Sequence, residues 1–92
     1  MSPAELREQL SELNPSALLA DGFDGALIGI VRQFNRYLAL YDYDKAVEIV
    51  ADDIVDVPGA SLDRLEEAAE YMEFNVVGAW LGENTPLFLV QR

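Results

Sequence analysis

Ninety-two residues carry seventeen acidic and six basic side chains, a net charge of −11, with no cysteine and no histidine. That length bounds the chain to one core and a single domain over residues 1–92. Without cysteine there are no disulfides or thiolate metal sites; without histidine the chain lacks the commonest general base near neutral pH and the commonest transition-metal ligand.

The acidic excess disfavours direct contact with nucleic acid or an anionic membrane, both of which are met by Lys and Arg, so the expected partners are neutral or basic proteins. An apolar content of 51%, with four Phe, four Tyr and one Trp, supplies a core and argues against disorder. The first residues are acidic and contain no apolar leader, and no run approaches the roughly 18 apolar residues of a membrane span. A cytoplasmic protein is the expectation.

In chain order, Ser2-Pro3-Ala4-Glu5 reads as a capping box with proline at the first helical position. Leu6, Leu10 and Leu13 then share one face of a helix that ends near Asn14-Pro15. Ser16 to Ala20 suggests a further short turn, and Asp21-Gly22-Phe23-Asp24-Gly25 is turn chemistry. Leu27 to Val31, continuing through Phe34, reads as a strand; Asn35-Arg36 as a tight turn; and Tyr37 to Tyr41 as the returning strand of a hairpin.

Asp42 or Asp44 caps a short helix with apolar Ala46, Val47, Ile49 and Val50. Val57-Pro58-Gly59 breaks the chain. Ser61 then caps a longer helix whose Leu62, Leu65, Ala69, Met72, Val76 and Ala79 form one stripe. Gly82 ends it, Pro86 bars its continuation, and Leu87 to Val90 is a last strand. The order α-β-β-α-α-β predicts an α+β fold, a three-stranded antiparallel sheet packed against helices.

Four groupings of side chains invite a chemical reading. Residues 42–73 hold eleven acidic and two basic residues, a local net charge of −9. Glu48, Asp52, Asp53, Asp63, Glu66, Glu67, Glu70 and Glu73 form a candidate acidic face, able to imitate a nucleic-acid backbone before a basic protein groove. A solvated helix face is the plainer account. Asp21 and Asp24 with Asp42 and Asp44 offer oxygen ligands for a hard cation, but their spacing lacks the EF-hand pattern, and capping and turns explain them more simply.

Glu73 and Glu83 form a pair of carboxylates near a helix end, yet with so many acids some pair always presents itself. Lys45 and the four serines lack an activating partner, so no catalytic residue, metal or cofactor is assigned. Tyr37, Tyr41, Tyr43, Tyr71 and Trp80 are candidates for binding contacts, weighed against packing in the core. Within the longer helix Asn75 and Gly78 are each unfavourable by up to about 1 kcal/mol against alanine. Gly78 and Ala79 would admit a close neighbour, either the chain's own sheet or the same helix of a second copy in a homodimer.

Leu18 to Asp24, Ala26 to Gly29, Tyr41 to Asp44 and, above all, Glu73-Phe74-Asn75-Val76-Val77-Gly78-Ala79-Trp80-Leu81-Gly82-Glu83-Asn84-Thr85-Pro86 resemble a family of small uncharacterised bacteriophage and prophage proteins. The resemblance spans about residues 18 to 90, and Asn35-Arg36 departs from the Gly- or Pro-containing loop of the family's pattern. It implies a phage origin and expression in a host bacterial cytoplasm, and carries no established activity. By analogy of context, the expected function is binding and inhibition of a host protein. The alternative is a small-ligand or nucleotide-binding module, dimeric or not, with a pocket formed by Asp21, Asp24, Asn75, Trp80 and Glu83. A structural accessory of the phage particle ranks third.

Overall fold

A computed structural model describes residues 2–53, 61–77 and 81–90, excepting the side chains of residues 53, 61–64 and 77. The elements are α1 (Pro3–Leu13), a 3₁₀ turn (Asp24–Ala26), β1 (Leu27–Gln33), β2 (Arg36–Asp42), α2 (Tyr43–Asp53), α3 (Ser61–Tyr71), a π-helical continuation (Met72–Val77) and β3 (Leu87–Leu89). This is the expected α+β order.

Helix α1 begins as its sequence dictates. The Ser2 hydroxyl accepts from the Glu5 backbone N–H at 3.2 Å and donates to the Glu5 carboxylate at 3.0 Å, with Pro3 in the first turn where no N–H is needed. Leu6 and Leu10 are buried against the sheet, while Leu13, at the last turn, is exposed. Asn14 stops the helix, and its side chain accepts from the Ser16 N–H at 3.1 Å, so residues 14–16 turn without a further helix. At Ala20–Phe23 the chain reverses, with the Phe23 N–H on the Ala20 carbonyl at 3.2 Å and Gly22 at φ +85°, a region that suits a residue without Cβ.

β1 and β2 pair antiparallel, as expected. The turn between them is Phe34-Asn35, one residue earlier than Asn35-Arg36, because Gln33 pairs with Arg36. The actual register sets Arg32 opposite Tyr37, with its guanidinium 5.8 Å from the ring centre. A turn one residue later would set Arg32 opposite the fully buried Ala39, forcing a charge into the core.

β3 lies on the other side of β2 and runs parallel to it, pairing Leu40, Tyr41 and Asp42 with Leu87, Phe88 and Leu89. The sheet is therefore mixed, antiparallel in its larger part, and the expected all-antiparallel arrangement does not extend to β3. The reason is the connection: two helices separate β2 from β3, and a crossover of that length returns the chain in the parallel sense that a short hairpin cannot reach.

Asp42 ends β2 and at once caps α2, its carboxylate accepting from the Lys45 N–H at 3.2 Å. Ala46, Val50 and Ala51 of α2 join Leu6, Leu10, Ala26, Leu27, Ala39, Tyr41, Ala68 and Met72 in one core. Of the expected stripe, Met72 is fully buried and Ala69 and Val76 are half-buried, while Leu65 is 46% exposed and the buried residue among the described side chains of α3 is Ala68. Ala68 joins Ala46 and Ala51 of α2 in the core, so α2 and α3 pack there through small residues. The capping role of Ser61, the side chain of Leu62, and residues 57–59, 78 and 79 lie outside what is described.

Candidate functional site

Helix α3 and its π-helical continuation present the chain's most acidic described surface. Glu66 and Glu70 stand four residues apart, as do Glu48 and Asp52 on the neighbouring α2, and all four are exposed. Like charges at that spacing destabilise a helix by about 0.2–0.5 kcal/mol per pair, so this pattern does not serve the fold. None of Glu48, Asp52, Glu66, Glu67 or Glu70 forms an ion pair with a described residue; the described pairs are Arg7 with Asp24 and Arg36 with Glu83. Glu73, also exposed, accepts a hydrogen bond from the Tyr43 hydroxyl at 3.2 Å. The side chains of Asp53 and Asp63 lie outside the described residues.

Between these carboxylates stand two aromatic rings, Phe74 at 82% exposure and Tyr71 at 49%. With Glu67, Glu70 and Asn75 they line a shallow cleft. Spacing at i, i+3, i+4 and i+7 gathers Glu67, Glu70, Tyr71 and Phe74 on one helix face, and the winding changes within that stretch. The Asn75 side-chain amide donates to the Tyr71 carbonyl at 3.3 Å, the acceptor that an α-helix would offer to the Asn75 backbone N–H. This competition accompanies the change to π-helix at Met72–Val77, a rare conformation that recurs at functional sites.

A second surface lies at the opposite end of β2. A cleft of about 600 Å³ is lined by Gln33, Phe34, Arg36 and Leu38 on the hairpin side, and by Gly82, Glu83, Thr85, Pro86, Leu87 and Phe88 on the other. Its walls are tied together. Arg36 pairs with Glu83 and donates to the Asn84 side-chain oxygen at 3.4 Å, an oxygen that also accepts from Asn14 at 3.0 Å. Asn14 in turn donates to the Tyr37 carbonyl at 2.8 Å, while the Thr85 hydroxyl donates to the Gly82 carbonyl at 2.7 Å and accepts from the Leu81 N–H at 2.8 Å.

The expected pocket of Asp21, Asp24, Asn75, Trp80 and Glu83 is distributed over several places. Glu83 lines the hairpin-end cleft and Asn75 the shallow cleft on the acidic helix. Asp21 and Asp24 are exposed around the 3₁₀ turn, where Asp24 meets Arg7 at 3.0 Å, and Trp80 lies outside the described residues. The four aspartates considered for a cation do not converge: among the described residues no group of three or more carboxylates could hold a metal ion. Glu73 and Glu83 are likewise apart, one by Tyr43 beyond the end of β2 and the other at Arg36 where β2 begins, roughly 20 Å along the strand at its usual rise.

Of the aromatic candidates, Tyr41 belongs to the core. It is fully buried, stacks on Phe88 at 5.5 Å between ring centres, and accepts from the Ala20 N–H at 2.9 Å. Burial pushes its phenol above the ordinary value; the Ala20 bond, which favours the ionised form, opposes this. Missing from the sequence-based candidates are Phe34 and most of the hairpin-end cleft. The signal was the lack of glycine in a two-residue hairpin turn, which forces an ordinary residue to positive φ.

No family model matches the chain, and no curated protein and no solved structure shows significant similarity to it. Among the described residues no helix is long and apolar enough to cross a membrane.

Proposed function

We propose that this is a non-enzymatic phage protein that acts in a host bacterial cytoplasm by binding and inhibiting a host protein, presenting the carboxylates of α3 to a basic groove that otherwise receives nucleic acid. The observation that carries the reading is the pairing of chemistries on one helix. Phe74 and Tyr71 stand exposed among Glu67 and Glu70, carboxylates that have no ion pair with a described residue. Aromatic anchors supply contact area with little entropy cost, and the surrounding charge supplies orientation and a fast encounter.

The test is capture from bacterial host lysate, followed by direct titration of the purified partner. Affinity should fall steeply with added salt, and nucleic acid should compete. Retention unchanged by replacing Glu66, Glu67 and Glu70 with lysine would sink the reading. The alternative, a small-ligand or nucleotide-binding module, draws support from the hairpin-end cleft, whose volume of about 600 Å³ falls within the usual range for such sites. A thermal-shift screen with nucleotides and divalent cations tests it, since a ligand of the native state raises the midpoint.

A further inference from the structure

The hairpin end holds a feature that the chain's own stability does not explain. Phe34 sits at φ +56°, a backbone region strained for a bulky residue, and its ring is 91% exposed. Both features act against the isolated fold: the first strains the backbone, and the second leaves a large apolar surface in water. Beside the ring opens the cleft walled by Leu38, Pro86, Leu87 and Phe88. One surface thus bears both a protruding apolar ring and a hollow of matching chemistry. A two-fold contact between identical copies requires that complementarity, each copy giving what it receives.

That self-complementarity selects a second copy as the occupant, and charge favours this end as the place where copies meet. Residues 25–41 contain Arg32 and Arg36 and no acidic residue, whereas residues 42–73 hold a net charge of −9. The one carboxylate lining the cleft, Glu83, is already paired with Arg36. Two copies of a chain with net charge −11 repel wherever their helices meet, and the hairpin end is where carboxylates are fewest. β2 runs from Arg36 at this cleft to Asp42 at the cap of α2, so contact through the hairpins holds the acidic helices of the two copies apart.

We propose that two copies associate through their hairpin ends, with Phe34 of each seated in the apolar cleft of the other. The dimer leaves the helical face free and does not depend on the host-protein reading above. Sedimentation equilibrium of the full chain from micromolar to millimolar concentration should show a monomer–dimer equilibrium that added salt maintains or strengthens, because screening relieves the repulsion between copies.

Phe34→Gly should raise the dissociation constant about tenfold or more, as loss of a central aromatic anchor does. The same change should raise the thermal midpoint of the monomer, since glycine adopts positive φ without strain. The two readouts move in opposite directions, so a lost dimer cannot be a lost fold. On dilution, amide resonances of residues 33–38, 82–85, 87 and 88 should shift, and those of residues 66–77 should not. A chain that stays monomeric at millimolar concentration, a dimer that survives Phe34→Gly, or dilution shifts confined to the acidic helix would each overturn the proposal.

Discussion

At the hairpin end of β2 polar side chains from distant segments bond one another, whereas at the helical end Glu48, Asp52, Glu66, Glu67 and Glu70 have no ion pair with a described residue. Asn14, Arg36, Glu83 and Asn84 form a connected set of bonds that pins the segment before β3 to α1 and β2, and Thr85 closes the turn of that segment on the Gly82 carbonyl. Glu66, Glu67 and Glu70 make no such network with described residues, and no described polar or charged residue is buried. The fold therefore rests on its apolar core and a few paired or capping acids, and the carboxylates of Glu48, Asp52, Glu66, Glu67 and Glu70 are surplus to it. Charge that the fold does not use remains available to a partner, and each end also keeps exposed aromatic surface in a different electrostatic setting.

The sharpest way to break this comparison is at the helical end. Replacing Glu66, Glu67 and Glu70 with lysine should weaken partner binding by about 3 kcal/mol or more, because like charges then face the partner's basic groove. Circular dichroism should meanwhile report an unchanged fold. Phe74→Ser should weaken binding by about 2 kcal/mol, while its effect on unfolding stays within about 0.5 kcal/mol, as befits an exposed ring. A large loss of stability in that variant would mean that the ring packs within the fold.

Between the two ends, Tyr41→Phe should destabilise the chain by about 1–2 kcal/mol in denaturant titration, because the Ala20 N–H loses its acceptor. The pH dependence carries a definite sign. With its pKa raised in the folded state, Tyr41 contributes stability that is whole below the unfolded-state value near 10 and declines as pH rises through the folded value. The phenylalanine variant should lose that part of the alkaline decline.

At the hairpin end Phe34→Gly should stabilise the monomer by about 0.5–1 kcal/mol by relieving the positive φ. The smallest effect belongs to Asn75→Ala. Stability should rise by a few tenths of a kcal/mol through helix propensity, roughly the known difference between the two residues, and amide exchange should show the π-helical turn tightening toward α. A loss of partner affinity in the same variant would tie the π-helical turn to binding.

Much of the fold was legible because its signals are local. The Ser2–Glu5 cap, the turn at Gly22, the cap by Asp42 and the apolar positions of β1 and β2 each depend on neighbours a few residues away. Less legible were features set by partners distant in sequence. That Ala68 rather than Leu65 is buried is settled where α3 packs on α2, and the hairpin register keeps Arg32 away from Ala39. The carboxylates of α3 were readable as exposed from their spacing. Tyr71 was a candidate from the sequence and Phe74 was not, although Glu67, Glu70, Tyr71 and Phe74 fall at i, i+3, i+4 and i+7 on one helix face; that both rings stay exposed there was decided by packing.

By itself the sequence determined the composition of the core, the order of the elements and the concentration of acid in residues 42–73, since these follow from residue type and short-range periodicity. Only the tertiary structure decided that β3 enters parallel, that Glu83 belongs with Arg36 rather than with Asp21 or Glu73, and that Phe34 stands at the tip beside a cleft. Each of these depends on bringing together segments tens of residues apart. The free energy that does so comes from burial of Tyr41, Phe88 and their neighbours, which no local pattern encodes.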